Sequence, residues 1–401
     1  MARIQYAERA MSLMSVLRDR FTRERPFDAL SIAACLHVTA ETAVLVRLLR
    51  AGGARVSLAA SNPLSTQDDI AEALLEDGVE VFARAGVDRA GYYRHIADAL
   101  ANGADLIVDD GGDLVSTVHT SATPGVRGGC ESTTTGVIRL RRMAADGALS
   151  FPMIAANDTP AKRMLDNVCG TGQSVIDGIL RATNTLLAGK IVVVAGFGAC
   201  GVGIAHRAAG LGARVIVTEV DPVRALDASL RGFPVLPMVD AASLGEVFIT
   251  ATGSVDVIGT EHVELMRDGA ILANAGHFDA EIDVRALESA AVAVHGEVRP
   301  YVDAYELADG RRLLLLAEGR VVNLVAAEGH PPEVMDLAFG IMALSLAWLA
   351  TNAGKLSADV HPVPAELDAE AARLTLAAMG ITIDVLTETQ REYLESWRIG
   401  S

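Results

Sequence analysis

Residues 190 to 222, KIVVVAGFGACGVGIAHRAAGLGARVIVTEVDP, constrain the fold of this chain more than any other stretch. An apolar, β-branched run from Ile191 to Val194 meets Gly196, Gly198 and Gly201. A helical pattern follows, and then a second apolar run that Glu219 closes. That order of strand, tight turn, helix and strand is a Rossmann unit. Its glycines provide the turn, the close backbone approach to a pyrophosphate, and close helix–strand packing. The start of the helix offers unpaired N–H groups and a positive dipole end to phosphates. Glu219 falls roughly 20 residues on, where an acid binds a ribose 2′-hydroxyl and repels a 2′-phosphate. NAD, rather than NADP, is the expected cofactor. The alternative is a Rossmann-like unit kept only as scaffold.

The same alternation runs on both sides of this segment. Before it, strands are expected at Leu30 to Cys35, Arg55 to Ala59, Val79 to Ala83 and Leu106 to Asp109. Helical patterns from Thr39 to Arg50, Thr66 to Glu76 and Tyr92 to Ala101 separate them. After it come strands at Val247 to Thr250, Ala270 to Asn274, Val292 to Val294 and Val321 to Val325, then a long helix from Pro332 to Ala353. Strands alternating with helices predict parallel sheets covered on both faces. The expected fold is α/β, with two doubly wound parallel-sheet domains. A Rossmann NAD-binding domain (169–329) is inserted in a substrate-binding domain (1–168 and 330–370). An oligomerisation segment (371–401) closes the chain.

A length of 401 residues allows two sizeable cores, and the composition is 51% hydrophobic but only 4% aromatic. A net charge of −17 without a basic patch argues against nucleic-acid and anionic-membrane partners. Cys35, Cys130, Cys169 and Cys200 show neither CxxC spacing nor a disulfide framework. No signal peptide is read at the start, and the apolar stretch Ala338 to Ala350 is too short to span a bilayer. A cytoplasmic protein is expected.

Five polar residues, His37, Asp110, Thr252, His277 and His330, each fall just past a predicted strand. In open α/β sheets that edge binds ligands. Singly, each reads as a loop or turn residue; together they predict a cleft between two domains. No metal site is expected, because the histidines and cysteines lack ligand spacing.

These motifs together resemble the S-adenosylhomocysteine hydrolase family. The resemblance runs in order through CLHVTAETAVL (35–45), SNPLSTQDD (61–69), DDGGD (109–113), TTTG (133–136), ANDTPAKRMLDN (156–167) and GTGQS (170–174). It continues through the glycine fingerprint, ITATGSVDVI (249–258), NAGHFDAEID (274–283) and AEGRVVNLVAAEGHP (317–331). GTGQS and the ending YLESWRIGS resemble the short-tailed, archaeal-type branch.

The resemblance implies an internally recycled oxidation of an adenine nucleoside, with NAD held as a catalyst. Oxidation at C3′ acidifies the C4′ proton, a base removes it, and the group on C5′ leaves. By resemblance, Lys162 and Asp166 handle the 3′-hydroxyl proton and Asp110 is the C4′ base. His37 acts at the C5′ group with His277 nearby, and His277–Phe278 gates the channel. Thr39, Glu41, Glu328 and His330 contact substrate. Thr133, Thr134, Thr135, Asn167, Gly196, Gly198, Gly201, Glu219, Thr252 and Asn323 serve NAD. The family also implies a homo-oligomer, dimer or tetramer.

The chain departs from the family where Ser132 stands in place of a glutamate that contacts the sugar hydroxyls. Losing that charge-assisted bond costs about 1.5–3 kcal/mol, or roughly ten- to a hundred-fold in affinity. Cys169, Pro160 and Val202 are further departures. Ser132 raises the expectation of a diverged paralogue, a dehydratase that eliminates water from a sugar-modified adenosine in specialised nucleoside metabolism. The alternatives are an ordinary adenosylhomocysteinase and an NAD-binding regulatory module without turnover.

Overall fold

The computed structural model describes residues 2–121 and 123–398. Strands β1 (Ser31–Leu36), β2 (Arg55–Ala60), β3 (Glu80–Phe82), β4 (Leu106–Asp109), β5 (Gly128–Glu131) and β6 (Met153–Ala155) form a parallel sheet. The chain then leaves to build a second sheet from β7 (Ile191–Ala195), β8 (Arg214–Thr218), β9 (Val247–Thr250), β10 (Ile271–Asn274), β11 (Ala291–Arg299), β12 (Val302–Leu307) and β13 (Arg312–Leu316). It finally returns to the first sheet, where β14 (Val360–Pro362) pairs in parallel with β6. The expected α/β class, with a Rossmann unit inserted into a doubly wound one, is what the chain adopts.

The central strands of both sheets are buried on both faces, which explains their continuous apolar runs. Side chains alternate across a strand. Ile32, Ala34 and Leu36 of β1 therefore join one core, and Ala33 and Cys35 join another. In β7, Val192 and Val194 face one side and Val193 the other.

The strand orders, β14-β6-β5-β4-β1-β2-β3 and β11-β12-β13-β10-β9-β7-β8, fix where ligands go. In the first sheet β1 runs outward to β2 and β3, and β4 then returns to the other side of β1. In the second, β8 and β9 flank β7 in the same way. Each reversal opens a crevice at the carboxyl ends of the central strands. His37 and Asp110 follow β1 and β4, while Gly196 and Thr252 follow β7 and β9.

Several expected elements differ. Val321 makes a single bridge to Asn274, and the expected strand Val321 to Val325 is instead a short helix, Val322–Val325. The place beside β10 is already taken by β13, and a short apolar run does not tell strand from buried helix. His330 consequently follows no strand. The antiparallel run β11, β12 and β13 replaces the lone strand expected at Val292 to Val294.

The helix Pro332–Asn352 is longer than the apolar stretch read from sequence, and by length and composition it could cross a membrane. Its apolar part is instead mostly buried within the protein, in the same core as the helices Ala2–Ala10 and Ser12–Glu24. Its Asp336 carboxylate accepts N–H bonds from Leu13 and Met14 at 2.9 and 2.8 Å, capping the second of those helices. The helix Ala365–Ala378 buries Ala371 in this core. Of the segment expected to oligomerise, residues 399–401 lie outside the described residues.

Candidate active site

A cavity between the two sheets is lined from both switch points, with His37 and Asp110 on one side and Gly198 and Thr252 on the other. It also gathers Thr39, Glu41, Ser132, Thr133, Thr134, Thr135, Lys162, Asp166, Asn167, His277, Asn323, Glu328 and His330. Most residues singled out from the sequence therefore meet in one place.

Asp110 meets three side chains. His37 Nε2 lies 3.1 Å from its Oδ2, Ser61 Oγ donates to Oδ2 at 3.2 Å, and Ser132 Oγ donates to Oδ1 at 2.6 Å. Burial raises the pKa of Asp110, but His37, His277 and the Ser132 hydroxyl outweigh it and hold the carboxyl well below the usual range. His37 is fixed from behind, with Nδ1 at 2.6 Å from Ser65 Oγ. Burial lowers the pKa of His277, which favours its neutral form. The His37 and His277 rings sit 5.9 Å apart, edge to face.

His37, Asp110 and His277 also present ligand atoms within 4.8 Å of one another, a spacing that suits a metal ion. Spacing along the sequence hid this arrangement. The His37–Asp110 contact at 3.1 Å accounts for two of the three groups.

A second charged group lies beneath the opposite wall. Lys162 Nζ is 2.9 Å from Asp166 Oδ1, and it donates to Asn157 Oδ1 at 3.0 Å and Asn167 Oδ1 at 3.3 Å. His330 Nδ1 approaches Asp166 Oδ2 at 3.5 Å. Burial raises the pKa of Asp166, yet Lys162 and His330 draw it well below the usual carboxylate range. The Lys162–Asp166 pair spans four residues into a wide π-helical segment, Arg163–Gly170. Such widened turns are frequent at functional sites.

The residues of the glycine fingerprint fit a dinucleotide. Gly196 has φ +93°, and a Cβ on Gly201 would stand 1.9 Å from the Gly196 carbonyl. The helix Ala199–Gly210 has no side-chain cap, so its first N–H groups are open to phosphate. Glu219 accepts backbone N–H bonds from Phe197, Val220 and Asp221, which orient its carboxylate at the end of β8. Asn323 is buried, its Oδ1 has no partner, and it lines the cavity. That acceptor suits a carboxamide N–H.

Gly196, Gly201 and Glu219 do not line the cavity themselves; they shape the turn behind it. Phe278 also stands apart. It packs edge-on against His277 at 4.7 Å, with Arg139 5.7 Å from its ring, and faces a second cleft.

Two functional acids escaped the sequence reading. Glu131 is buried, and its Oε1 accepts from Gly111 N, Thr133 N and Thr133 Oγ1 at 3.0, 2.8 and 2.7 Å. It thus ties the loop of Asp110 to the threonine run. Burial, with Asp109 and Asp110 nearby, pushes its pKa well up. Glu281 does the same for the other wall, accepting from Thr252 N, Thr252 Oγ1 and Gly253 N at 2.8, 2.7 and 2.8 Å. Each follows or precedes a loop by sequence and looks like an ordinary surface acid.

Comparison with known proteins agrees with this geometry. Residues 1–124 match the model of S-adenosyl-L-homocysteine hydrolase, and residues 167–329 match the model of its NAD-binding domain. The adenosylhomocysteinase of Aquifex aeolicus is 55% identical over 100% of this chain and 96% of its own length. That of Saccharolobus solfataricus is 53% identical over 99% of this chain and 96% of its own. That of Archaeoglobus fulgidus is 52% identical over 100% and 99%. Among solved structures, a dipicolinate synthase from Bacillus halodurans shares the fold alone, with a TM-score of 0.51 and 16% identity over 81% of this chain and 99% of that one. The chain belongs to the S-adenosyl-L-homocysteine hydrolase family, and its cofactor is NAD.

Proposed function

We propose that this chain is an adenosylhomocysteinase, cleaving S-adenosylhomocysteine to adenosine and homocysteine. The observation that carries the reading is one cavity holding two separated acid–base groups, His37–Asp110 and Lys162–Asp166, at the switch points of both sheets. Bound NAD supplies reversible oxidation at C3′. Lys162, ringed by three acceptors, is placed to take and return the 3′-hydroxyl proton. Asp110 is ionised at neutral pH and serves as the base that removes the C4′ proton.

The electron pair left at C4′ forms a C4′–C5′ double bond as the C5′–S bond breaks, and sulfur leaves with its own pair. His37 delivers a proton to that sulfur. Water then adds, with hydroxide going to C5′ and a proton to C4′. Thr39, Glu41, Glu328 and His330 border the base end of the substrate. Burial raises the pKa of Glu41, which favours a protonated carboxyl able to donate to a purine nitrogen.

The relatives at 50–55% identity over almost the full length, each an adenosylhomocysteinase, favour hydrolysis over the dehydration that Ser132 suggests. In the structure the Ser132 hydroxyl is occupied by Asp110, so its place is explained without a modified sugar. The family reading further supports a cytoplasmic homo-oligomer, and the four unpaired cysteines suit a reducing compartment.

The test is to incubate NAD-loaded protein with S-adenosylhomocysteine and follow free thiol. Release of homocysteine with matching adenosine is expected. No thiol, together with a product one water lighter from a sugar-modified adenosine, would install the dehydratase instead.

A further inference from the structure

The loop that follows β10 forms one wall of the central cavity. His277 lines both that cavity and the outer cleft that Phe278 faces, so this pair stands between the two spaces. The Rossmann unit holds the loop by its backbone, with Asn274 Nδ2 donating to Phe278 O at 2.8 Å and to Gly319 O at 2.9 Å. The side chains of the pair reach the other unit. A Cβ on Gly111 would stand 2.4 Å from His277 Nε2. The imidazole therefore seats on the backbone beside Asp110 only because residue 111 has no side chain.

Arg139 meets the other half of the pair. It is carried on the helix Thr134–Ala145 and does not itself line the central cavity. Its Nη1 donates to Gly111 O at 2.5 Å and to Asp113 Oδ1 at 2.9 Å. Asp113 is held in turn by Tyr92 Oη at 3.0 Å. The guanidinium so fixed lies 5.7 Å from the centre of the Phe278 ring, within the range of a cation–π contact. Parting the units breaks that contact but leaves Arg139 with both of its acceptors. Opening strands no charge, whereas a salt bridge across the same gap would leave one uncompensated each time it broke. The contact thus favours closure and stays reversible.

We infer that Arg139 is the latch of this loop, a positioning residue that holds Phe278, and with it His277, against the loop of Asp110 while the substrate is oxidised. The inference rests on the oxidation–elimination reading above. It gives a chemical purpose to the link between Arg139 and Gly111, since the carbonyl that anchors the latch belongs to the residue after the proposed base.

The test uses the NAD-loaded full chain with S-adenosylhomocysteine and measures ketone lost per homocysteine released. Oxidation at C3′ moves a hydride to the cofactor and the hydroxyl proton to Lys162. A ketone that escapes before the hydride is returned leaves the cofactor reduced and that enzyme molecule inactive. Arg139→Gln should raise the yield of permanently reduced cofactor roughly two- to thirty-fold, the span of a cation–π contact expressed as a change in the open population. Arg139→Lys, which keeps a cation, should fall between. Phe278→Leu should show the same rise, and the double variant no more than either alone. If Arg139→Gln fails to fold, Phe278→Leu and Phe278→Trp decide the matter, because leucine should raise the yield and tryptophan, the better cation–π face, should lower it. A lowered melting temperature with an unchanged yield, or full additivity in the double variant, overturns the latch and leaves hydrolysis intact. A wild type that releases no thiol contradicts the hydrolytic reading and removes the latch with it.

Discussion

The Ser132 hydroxyl donates to Asp110 Oδ1 at 2.6 Å, so the residue that departs from the family pattern holds the proposed C4′ base. A hydroxyl-to-carboxylate bond of this kind contributes about 1.5–3 kcal/mol. Ser132→Ala should lower kcat roughly ten- to a hundred-fold with a smaller effect on KM. Ser132→Glu puts a like charge beside Asp110. That raises its pKa and moves the acidic limb of the pH–rate profile to higher pH. An unchanged profile in Ser132→Glu would show that Asp110 does not govern that limb.

Lys162 and Asp166 form a buried ion pair, and removing one partner leaves the other uncompensated. Lys162→Met should cost about 3–5 kcal/mol in stability and slow cofactor reduction by adenosine roughly a hundred-fold or more. Lys162→Met combined with Asp166→Leu should regain stability without regaining activity. Thermal unfolding and single-turnover absorbance of the reduced nicotinamide read the two effects separately.

Gly198 and Gly201 should fail differently. A Cβ on Gly198 meets only Arg224 Nη1, at 3.7 Å, whereas one on Gly201 meets the Gly196 carbonyl at 1.9 Å. Gly198→Ala should keep the melting temperature of the NAD-free protein and lose NAD affinity. Gly201→Ala should lower both. Melting curves with and without added NAD distinguish them, and equal behaviour would contradict the assigned roles.

Glu131 carries a pH signature of its own. Its folded pKa is raised by burial and by Asp109 and Asp110 above the ordinary 4.5. The native state then keeps a proton that the unfolded chain releases, so stability falls as pH rises from about 4.5 towards the folded pKa. Asp109, raised by burial from 3.8 to about 7, adds a loss of the same sign between those values. Each group contributes a slope of at most about 1.4 kcal/mol per pH unit. Glu131→Gln should flatten the fall measured by urea unfolding from about pH 5 to 8. A slope equal to that of the wild type would place the titration elsewhere.

How far the sequence can be read follows from the kind of signal each feature carries. The β7–β8 unit was legible because Gly196, Gly201 and Glu219 sit at spacings that turn geometry imposes. The first sheet was legible through apolar runs such as SIAACL, but β5 (GGCE) and β6 were not. Gly128 and Gly129 carry no apolar pattern, and strand β6 is three residues long. The run Val321 to Val325 was misread because so short an apolar run carries no period that separates helix from strand.

In the site, His37 and Asp110 were visible as polar residues just past strand ends, and Lys162 through the family resemblance. Glu131 and Glu281 were not, because their work is to bind backbone N–H groups of loops brought near only by folding.

The most direct test of the proposed chemistry is to incubate the enzyme with adenosine in heavy water and locate deuterium in the recovered nucleoside. Removal and return of the C4′ proton by Asp110 predicts deuterium at C4′ of adenosine, abolished in Asp110→Asn. Release of homocysteine from S-adenosylhomocysteine with no deuterium at C4′ would mean direct displacement at C5′, and would contradict the oxidation–elimination account.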